Sequence, residues 1–147
     1  MLVDKEKKVA FLLRYAQMKE RRDVLLERRR THEADVYGIK SPILSDLPKG
    51  GRIKADMSDK VIKLLTITED IDNELVDLEQ KMNFIRQCVK RLNNYRYRSV
   101  IEMKYIDGRL RKDIASTMCF SLMGIDALVR KALRVLPITQ EDLEKVI

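Results

Sequence analysis

Residues 98–136 read RSVIEMKYIDGRLRKDIASTMCFSLMGIDALVRKALRVL, a stretch in which short apolar clusters alternate with basic residues and two turn-like interruptions occur. Its first part predicts a short helix, because apolar residues recur there at helical spacing. Gly108 ends that helix, since glycine tolerates the left-handed conformation found at helix C-termini. The apolar residues of this first helix are Val100, Ile101 and Tyr105.

The rest of this stretch predicts a helix–turn–helix. The sequence RLRKDIASTM forms the second helix, in which the small Ala115 lets another helix cross closely. The three residues CFS make the turn, where Ser121 is a good N-cap for a third helix that ends near Leu136. We therefore predict a helix–turn–helix domain at residues 95–136 and a short terminal helix at residues 137–147. The residues predicted to face the core in the second and third helices are Leu110, Ile114, Ala115, Met118, Ile125, Leu128, Ala132, Leu133 and Leu136.

Residues 1–94 are predicted to form a helical arm of two long helices. The first runs roughly from Asp4 to Tyr37. Glycines and prolines then interrupt the pattern and predict a linker at about residues 38–57. The first helix carries two adjacent apolar stripes, which are Phe11, Tyr15, Met18 and Leu25, and Val9, Leu12, Ala16 and Leu26.

The second long helix of the arm has the most regular pattern in the chain. From an N-cap signal at Ser58, apolar residues follow steps of three and four without proline or glycine. Such a seam predicts a helix of more than about 30 residues, about 50 Å long, that needs an apolar partner. Two partners fit, namely the first helix folded back as a hairpin, or the same helix of a second chain. We favour the hairpin with further self-association and predict an all-α fold. The seam residues, assigned to packing or oligomerisation, are Val61, Leu64, Thr68, Ile71, Leu75, Leu78, Met82, Ile85, Val89 and Leu92.

The composition favours an elongated helical protein. Of the 147 residues, 36% are charged, while only five are Gly and three are Pro, fewer than the turns of a sheet-rich enzyme consume. The net charge of +7 and the isoelectric point of about 9.5 favour acidic partners, because Lys and Arg displace counterions from phosphate backbones. We expect a cytoplasmic protein that does not span a membrane, since no apolar run approaches about 18 residues.

The sequence contains no enzyme motif, and we predict no catalytic residue, cofactor or metal. It lacks a glycine-rich phosphate loop, a GxSxG motif and an HExxH motif. Cys88 and Cys119 have no CxxC spacing, and the single histidine, His32, lies in a charged helix where a surface position is expected. The acidic run TEDIDNELVDLEQ is best explained as the solvated face of the second long helix.

The stretch at residues 98–136 resembles region four of bacterial sigma factors. The shared pattern is a helix ending in an aromatic-x-x-Gly step, then xxxIA, a short turn, a Ser N-cap and a recognition helix ending in xxALxxL. The whole layout also resembles the phage and mobile-element transcriptional regulators of the RinA/ArpU type. This resemblance implies binding to double-stranded DNA at a promoter, with the arm used for assembly or for contact with bacterial RNA polymerase. The matching positions are Tyr105, Gly108, Ile114, Ala115, Ser121, Ala132, Leu133 and Leu136.

The resemblance also implies which residues meet DNA. Ser121, Leu122 and Met123 begin the recognition helix and are expected to face the bases, where side chains capable of bidentate contacts are missing. Asp126 is expected to repel phosphate, and Cys119 occupies a turn position where such folds often carry glycine. Six basic residues are predicted to clamp phosphates, namely Arg109, Arg111, Lys112, Arg130, Lys131 and Arg134.

The functional prediction is a DNA-binding transcriptional regulator of a phage or mobile genetic element, expected to be an activator and a homo-oligomer. Oligomerisation would compensate a poor recognition helix, because two linked weak sites gain effective concentration. Two alternatives stay open. One is a viral DNA-packaging subunit like small terminases, in which the assembly is a ring, and the other is a helical adaptor that binds a host protein and no DNA.

Overall fold

The chain is helical throughout most of the residues that the structure describes. The structure is a computed structural model and describes the backbone of residues 3–46 and 51–147 and the side chains of residues 3–35 and 58–147. No strand occurs within these ranges. The predicted all-α class, with a hairpin-like pair of long N-terminal helices and a C-terminal helix–turn–helix, is confirmed. The elements are α1 (Lys5–Asp46), α2 (Gly51–Val89), α3 (Tyr95–Ile101), a π-helical turn (Glu102–Ile106), α4 (Arg111–Met118), α5 (Leu122–Val135) and α6 (Gln140–Glu144).

The chain divides into two compact units. The small unit is Arg21–Leu78, and the large unit combines Met1–Glu20 with Glu79–Ile147. The large unit therefore contains α3 to α6, the first turns of α1 and the last turns of α2.

In the small unit, an apolar seam and ion pairs between helices hold α1 and α2 together. Leu25 of α1 and Ile71 of α2 are buried. Arg21 Nε lies 2.8 Å from Glu74 Oε1. Burying a large aliphatic side chain contributes about 1.5–3 kcal/mol, which exceeds what an exposed ion pair adds, so the seam supplies most of the stability. The other predicted seam residues of this unit are half-buried, and they are Val61, Leu64, Thr68, Leu75 and Leu78.

The core of the large unit gathers apolar side chains from α1, α2, α3, α4 and α5. Phe11 of α1 meets Phe84 of α2 edge to face, with ring centroids 6.5 Å apart. The buried core includes the four remaining predicted seam residues, so the pattern read from the sequence continues through the end of α2. Its members include Phe11, Leu12, Tyr15, Met82, Ile85, Cys88, Val89, Leu92, Val100, Ile101, Ile114, Ala115, Ile125, Val129, Ala132 and Leu133.

The short helix α6 belongs to this core through a buried carboxylate. Asp142 accepts a hydrogen bond from Arg91 Nη1 at 2.7 Å and forms a capping box with Thr139. Arg14 Nη1 donates to the carbonyl of Val146 at 3.2 Å, and the Val146 side chain is buried. The C-terminal segment is thus a packed part of the large unit.

The connection between the long helices is shorter than the linker predicted at about residues 38–57. α1 continues to Asp46 and α2 begins at Gly51, so Ser58 lies inside α2 and is not its N-cap. Residues 47–50 lie outside the described residues. The prediction treated each glycine and proline as a stop. A nucleated helix, however, gains one hydrogen bond with every added residue, and a single glycine such as Gly38 costs only about 1 kcal/mol relative to alanine. The continuation of α1 through Pro42 has no such explanation.

Some side chains predicted to face the core are exposed. Leu110 is the N-cap of α4 and lies in extended backbone, which turns its side chain away from the face used by that helix. Ala16 and Leu26 are also exposed, because α1 packs mainly through its other stripe. On α5, Val129 is buried and Leu128 only half-buried, so the packed face is rotated slightly from the predicted one.

Candidate nucleic-acid interface

Capping groups fix both ends of the helical segment that precedes α4. Asn94 Oδ1 accepts hydrogen bonds from the backbone N–H of Arg96 and Tyr97 at 2.9 and 3.3 Å. Gly108, with φ of 68°, takes the left-handed conformation predicted for it. Between these caps the helix widens into the π-helical turn Glu102–Ile106, which the sequence did not predict because its apolar spacing there is still helical.

A tight, well-capped turn joins α4 to α5. Cys119 ends α4 with φ 60° and ψ 41°, the left-handed position at which the sequence lacks a glycine. Phe120 N–H donates to the Ala115 carbonyl at 3.0 Å. Ser121 Oγ then accepts a hydrogen bond from Gly124 N–H at 3.0 Å and caps α5. A left-handed residue with a Cβ costs roughly 1–2 kcal/mol, so the bend is held by its caps at a modest cost.

α5 packs against α3 and α4 with one side and leaves the other side open. Met123, Arg130 and Arg134 share the open side, because separations of seven and eleven residues equal about two and three helical turns. Met123 is 80% exposed, and both arginines are exposed. This outward face therefore has a thioether at one end and two guanidinium groups at the other. The buried residues on the packed side are Ile125, Val129, Ala132 and Leu133.

Most of the predicted phosphate-binding cations are exposed and available. Arg109 Nη1 lies 3.5 Å from Thr117 Oγ1, which is a weak contact to a neutral group. Among the described residues, five of the six predicted cations form no ion pair with a carboxylate. These five are Arg109, Lys112, Arg130, Lys131 and Arg134.

Arg111 is the sixth predicted cation, and it is paired. Its Nε and Nη2 donate to Asp126 Oδ1 and Oδ2 at 2.8 and 2.7 Å, a bidentate arrangement that links the first turn of α4 to the first turns of α5. The expectation that Asp126 repels phosphate is corrected by this pair, because the Arg111 charge compensates the carboxylate. Because the ion pair occupies its guanidinium group, Arg111 is not available to bind a phosphate.

The predicted base-facing residues lie at the N-terminal end of α5. Leu122 is 43% exposed and lies next to the far more exposed Met123. Ser121 is exposed as well, although its Oγ is already used as the cap. Residues 122–126 include no Arg, Lys, Asn or Gln, so this end offers apolar surface and a paired charge in place of bidentate donors.

Arg98 illustrates a basic residue that the fold itself uses. Its Nε and Nη2 donate to the Leu92 carbonyl at 3.1 and 2.8 Å, and Nη2 also donates to the Lys90 carbonyl at 3.1 Å. These carbonyls follow the last turn of α2, where helical partners are missing. Of the nine basic residues in 95–136, Arg98 is therefore committed to structure, as Arg111 is to its ion pair.

Sequence reasoning missed two lysines at the start of α1 that lie beside the cations of α5. Lys8 is only 4% exposed, and its Nζ donates to the carbonyls of Leu133 and Arg134 at 3.0 and 3.2 Å. Burial lowers the pKa of Lys8. The available signal was the spacing of Lys5 and Lys8, one turn apart on a helix. A cleft of about 250 Å³ is lined by Val3, Lys5, Lys8, Arg130, Leu133 and Arg134.

The described part of the chain contains neither a membrane-spanning helix nor a cluster of metal ligands. In residues 3–46 and 51–147, no helix combines the length and the apolar content that crossing a membrane requires. Among the side chains of residues 3–35 and 58–147, no group of three or more His, Cys, Asp or Glu is placed to hold a metal ion. Both cysteines are free thiols, Cys88 buried and Cys119 exposed.

Together these features define an all-helical protein that combines a long-helix hairpin with a helix–turn–helix. Residues 39–137 match DUF1492, a family described as a protein of unknown function. The match covers about two thirds of the chain, and the protein belongs to the DUF1492 family. Comparisons with curated proteins and with solved structures gave no match. The family description assigns no activity, so the resemblance to RinA/ArpU-type regulators stays a prediction.

Proposed function

We propose that this protein is an oligomeric, DNA-binding transcriptional regulator of a phage or mobile genetic element, acting in the cytoplasm of a bacterial cell. The observation that carries the proposal is the outward face of α5, where Arg130 and Arg134 are exposed beside Lys131 and make no described ion pair. In a helix–turn–helix, the second helix lies in the major groove while neighbouring cations contact the backbone. α5 is the second helix here.

The charge around α5 supports a polyanionic partner. Residues 95–136 carry nine basic and four acidic side chains. Arg98 is used inside the fold, and the pair between Arg111 and Asp126 removes one charge of each sign. The remaining surface keeps an excess of cations, which release counterions when they neutralise phosphates and so favour DNA binding at low salt.

Base recognition in this proposal is weak for a single copy. Leu122 and Met123 are exposed at the end of α5 and can meet thymine methyl groups, but bidentate donors, worth about 1–3 kcal/mol of discrimination each, are missing there. A second copy would double the contacts. Ile62, Leu65 and Val76 of α2 are each more than half exposed and form the apolar surface that a second chain would cover. The arm is also the proposed contact for RNA polymerase.

The test is a salt titration of duplex binding with a triple variant, Arg130→Ala, Lys131→Ala and Arg134→Ala. Each lost phosphate contact lowers the slope of log affinity against log salt by about 0.9, so the triple variant should lose up to about 2.7 for each subunit bound to the duplex. Promoter and random duplexes are measured side by side, and circular dichroism checks that helical content is unchanged. The ratio of the affinities for the promoter and the random duplex should change little, because phosphate contacts carry no sequence information.

A matched control removes three lysines that are exposed elsewhere, Lys19, Lys60 and Lys63. This control changes the net charge equally but should keep most of the slope. Equal slopes for the wild type and the α5 variant would contradict the proposal. Light scattering gives the subunit number, since a dimer or tetramer fits a regulator and a ring of eight or more subunits fits the packaging alternative.

A further inference from the structure

The cleft between the start of α1 and the last turns of α5 has an unusual lining. Four of its six lining side chains are cationic, and none is acidic. All six belong to the large unit. The cleft is the place where the N-terminal part of the arm meets the proposed recognition helix.

One of the four cations has a structural role. The Lys8 ammonium group donates to the carbonyls of Leu133 and Arg134, in the last turn of α5. Those carbonyls carry the negative end of the helix dipole, which favours a cation. Lys8 therefore fixes the start of α1 against the end of α5.

The other three cations form a setting that favours an anionic ligand. Lys5, Arg130 and Arg134 are exposed at the cleft, and none makes an ion pair with a described carboxylate. Positive charges gathered around one small volume repel one another, and an anion in the middle would offset that repulsion. Guanidinium groups suit such a ligand, because their planar donors match the oxygens of a phosphate.

We propose that this cleft binds a phosphate group, with Lys5, Arg130 and Arg134 contacting its oxygens and Lys8 acting as a positioning residue. The volume of about 250 Å³ is below the roughly 300–1,000 Å³ of pockets that enclose drug-sized molecules. A single phosphate fits this space better than a whole nucleotide. This inference rests on the proposed function for its natural source of phosphate, the backbone of a duplex held by the same face of α5. It adds Lys5, and with it α1, to the DNA contact.

The experiment uses the full chain and three single variants. Lys5→Ala removes a cleft cation, and Lys5→Arg keeps its charge. Lys7→Ala is the matched control, because Lys7 is exposed on the same helix but does not line the cleft. The first arm measures duplex binding against salt. The second arm compares the melting temperature in sodium phosphate and in sodium chloride at equal ionic strength, since a ligand bound only by the folded state stabilises it.

In the duplex arm, Lys5→Ala should lower the salt slope by about 0.9 for each bound subunit. Lys7→Ala should leave the slope near the wild-type value, and Lys5→Arg should restore it. In the phosphate arm, phosphate should raise the melting temperature of the wild type and of Lys7→Ala more than that of Lys5→Ala.

The outcomes separate the two proposals. A response in the duplex arm identifies the DNA backbone as the source of the phosphate. A response in the phosphate arm alone, in a protein that binds no duplex, keeps the cleft as a site for free phosphate and overturns the proposed function. If Lys5→Ala and Lys7→Ala behave alike in both arms, the cleft is not a phosphate site.

Discussion

Arginines between the two long helices of the small unit are used differently from the cations on the outward face of α5 in the large unit. In the small unit, Arg29 Nε lies 2.7 Å from Asp72 Oδ1, and Arg21 is held by Glu74. In the large unit, the cations on the outward face of α5 make no ion pair with any described carboxylate. The difference teaches that the positive charge offered to a partner depends on pairing in the fold and not on the number of Lys and Arg in the sequence.

The largest expected effect is a loss of stability in the small unit. It tests whether this unit depends more on its apolar seam than on its ion pairs. Leu25→Asp places a carboxylate at a fully buried position and should lower the free energy of unfolding by about 4 kcal/mol or more. Leu26→Asp is the matched control, because the adjacent Leu26 side chain is 47% exposed. Thermal melting followed by circular dichroism compares them. Equal losses would mean that the seam is not what stabilises this unit.

A smaller loss of stability is expected from breaking the ion pair of the large unit in which the Asp142 carboxylate is buried. Asp142→Asn leaves Arg91 without its carboxylate and weakens the capping box, which should cost about 2 kcal/mol in the free energy of unfolding at pH 7. Glu141→Gln, at the exposed neighbouring position, is the control and should change stability little.

The same variant has a defined pH dependence. Burial raises the pKa of Asp142, but hydrogen bonds from Arg91 and Thr139 outweigh burial and hold the pKa below its ordinary value of 3.8. A lowered folded-state pKa stabilises the protein above the unfolded-state pKa, and this contribution is lost as the pH falls through the folded-state value. The difference between the wild type and Asp142→Asn should therefore shrink below about pH 3.8. A stability difference that stays constant down to pH 2 would show that the carboxylate charge does not cause this difference.

A third variant turns a paired cation into an available one. Asp126→Ala removes the partner of Arg111 and should raise duplex affinity several-fold at low salt, with a salt slope steeper by up to about 0.9 for each bound subunit. Asp113→Ala is the control, because Asp113 is exposed on α4 and forms no ion pair with a described residue. It removes the same charge but frees no arginine. Equal gains in duplex affinity for Asp126→Ala and Asp113→Ala would contradict the prediction that freeing Arg111 adds a phosphate contact.

The smallest effect is expected at an exposed ion pair of the small unit. Glu74→Gln weakens the contact with Arg21, and exposed pairs of this kind contribute little to stability. The loss in the free energy of unfolding should be well below that of Asp142→Asn and should vanish at high salt. Glu69→Gln, at an exposed position on the same helix without a described ion pair, serves as the reference. A loss as large as that of Asp142→Asn would show that ion pairs matter equally in both units.

Local patterns made the helical architecture predictable. The ten seam residues from Val61 to Leu92 lie at steps of three and four, and each is buried or half-buried in the structure. The cap at Ser121 also follows from a single residue with a known backbone preference. Such features depend on neighbours a few positions away, which is why one sequence suffices for them.

The arrangement of charges could not be predicted in the same way. Arg111 and Asp126 are 15 positions apart, and only the packing of α4 on α5 brings them together. Lys8 in the run KEKK resembles a solvated lysine, yet its ammonium group meets carbonyls 125 and 126 positions away. Which cations stay available is therefore a property of the tertiary fold.

The two cysteines have a practical consequence. Cys88 is buried, and burial raises the pKa of its thiol to about 11, so almost no thiolate forms there at neutral pH. Cys119 is exposed in the turn between α4 and α5. A maleimide dye should consequently attach at Cys119 and leave Cys88 untouched. Energy transfer from that dye to a fluorescent nucleotide would then measure, in the wild-type chain, how closely a duplex approaches the turn.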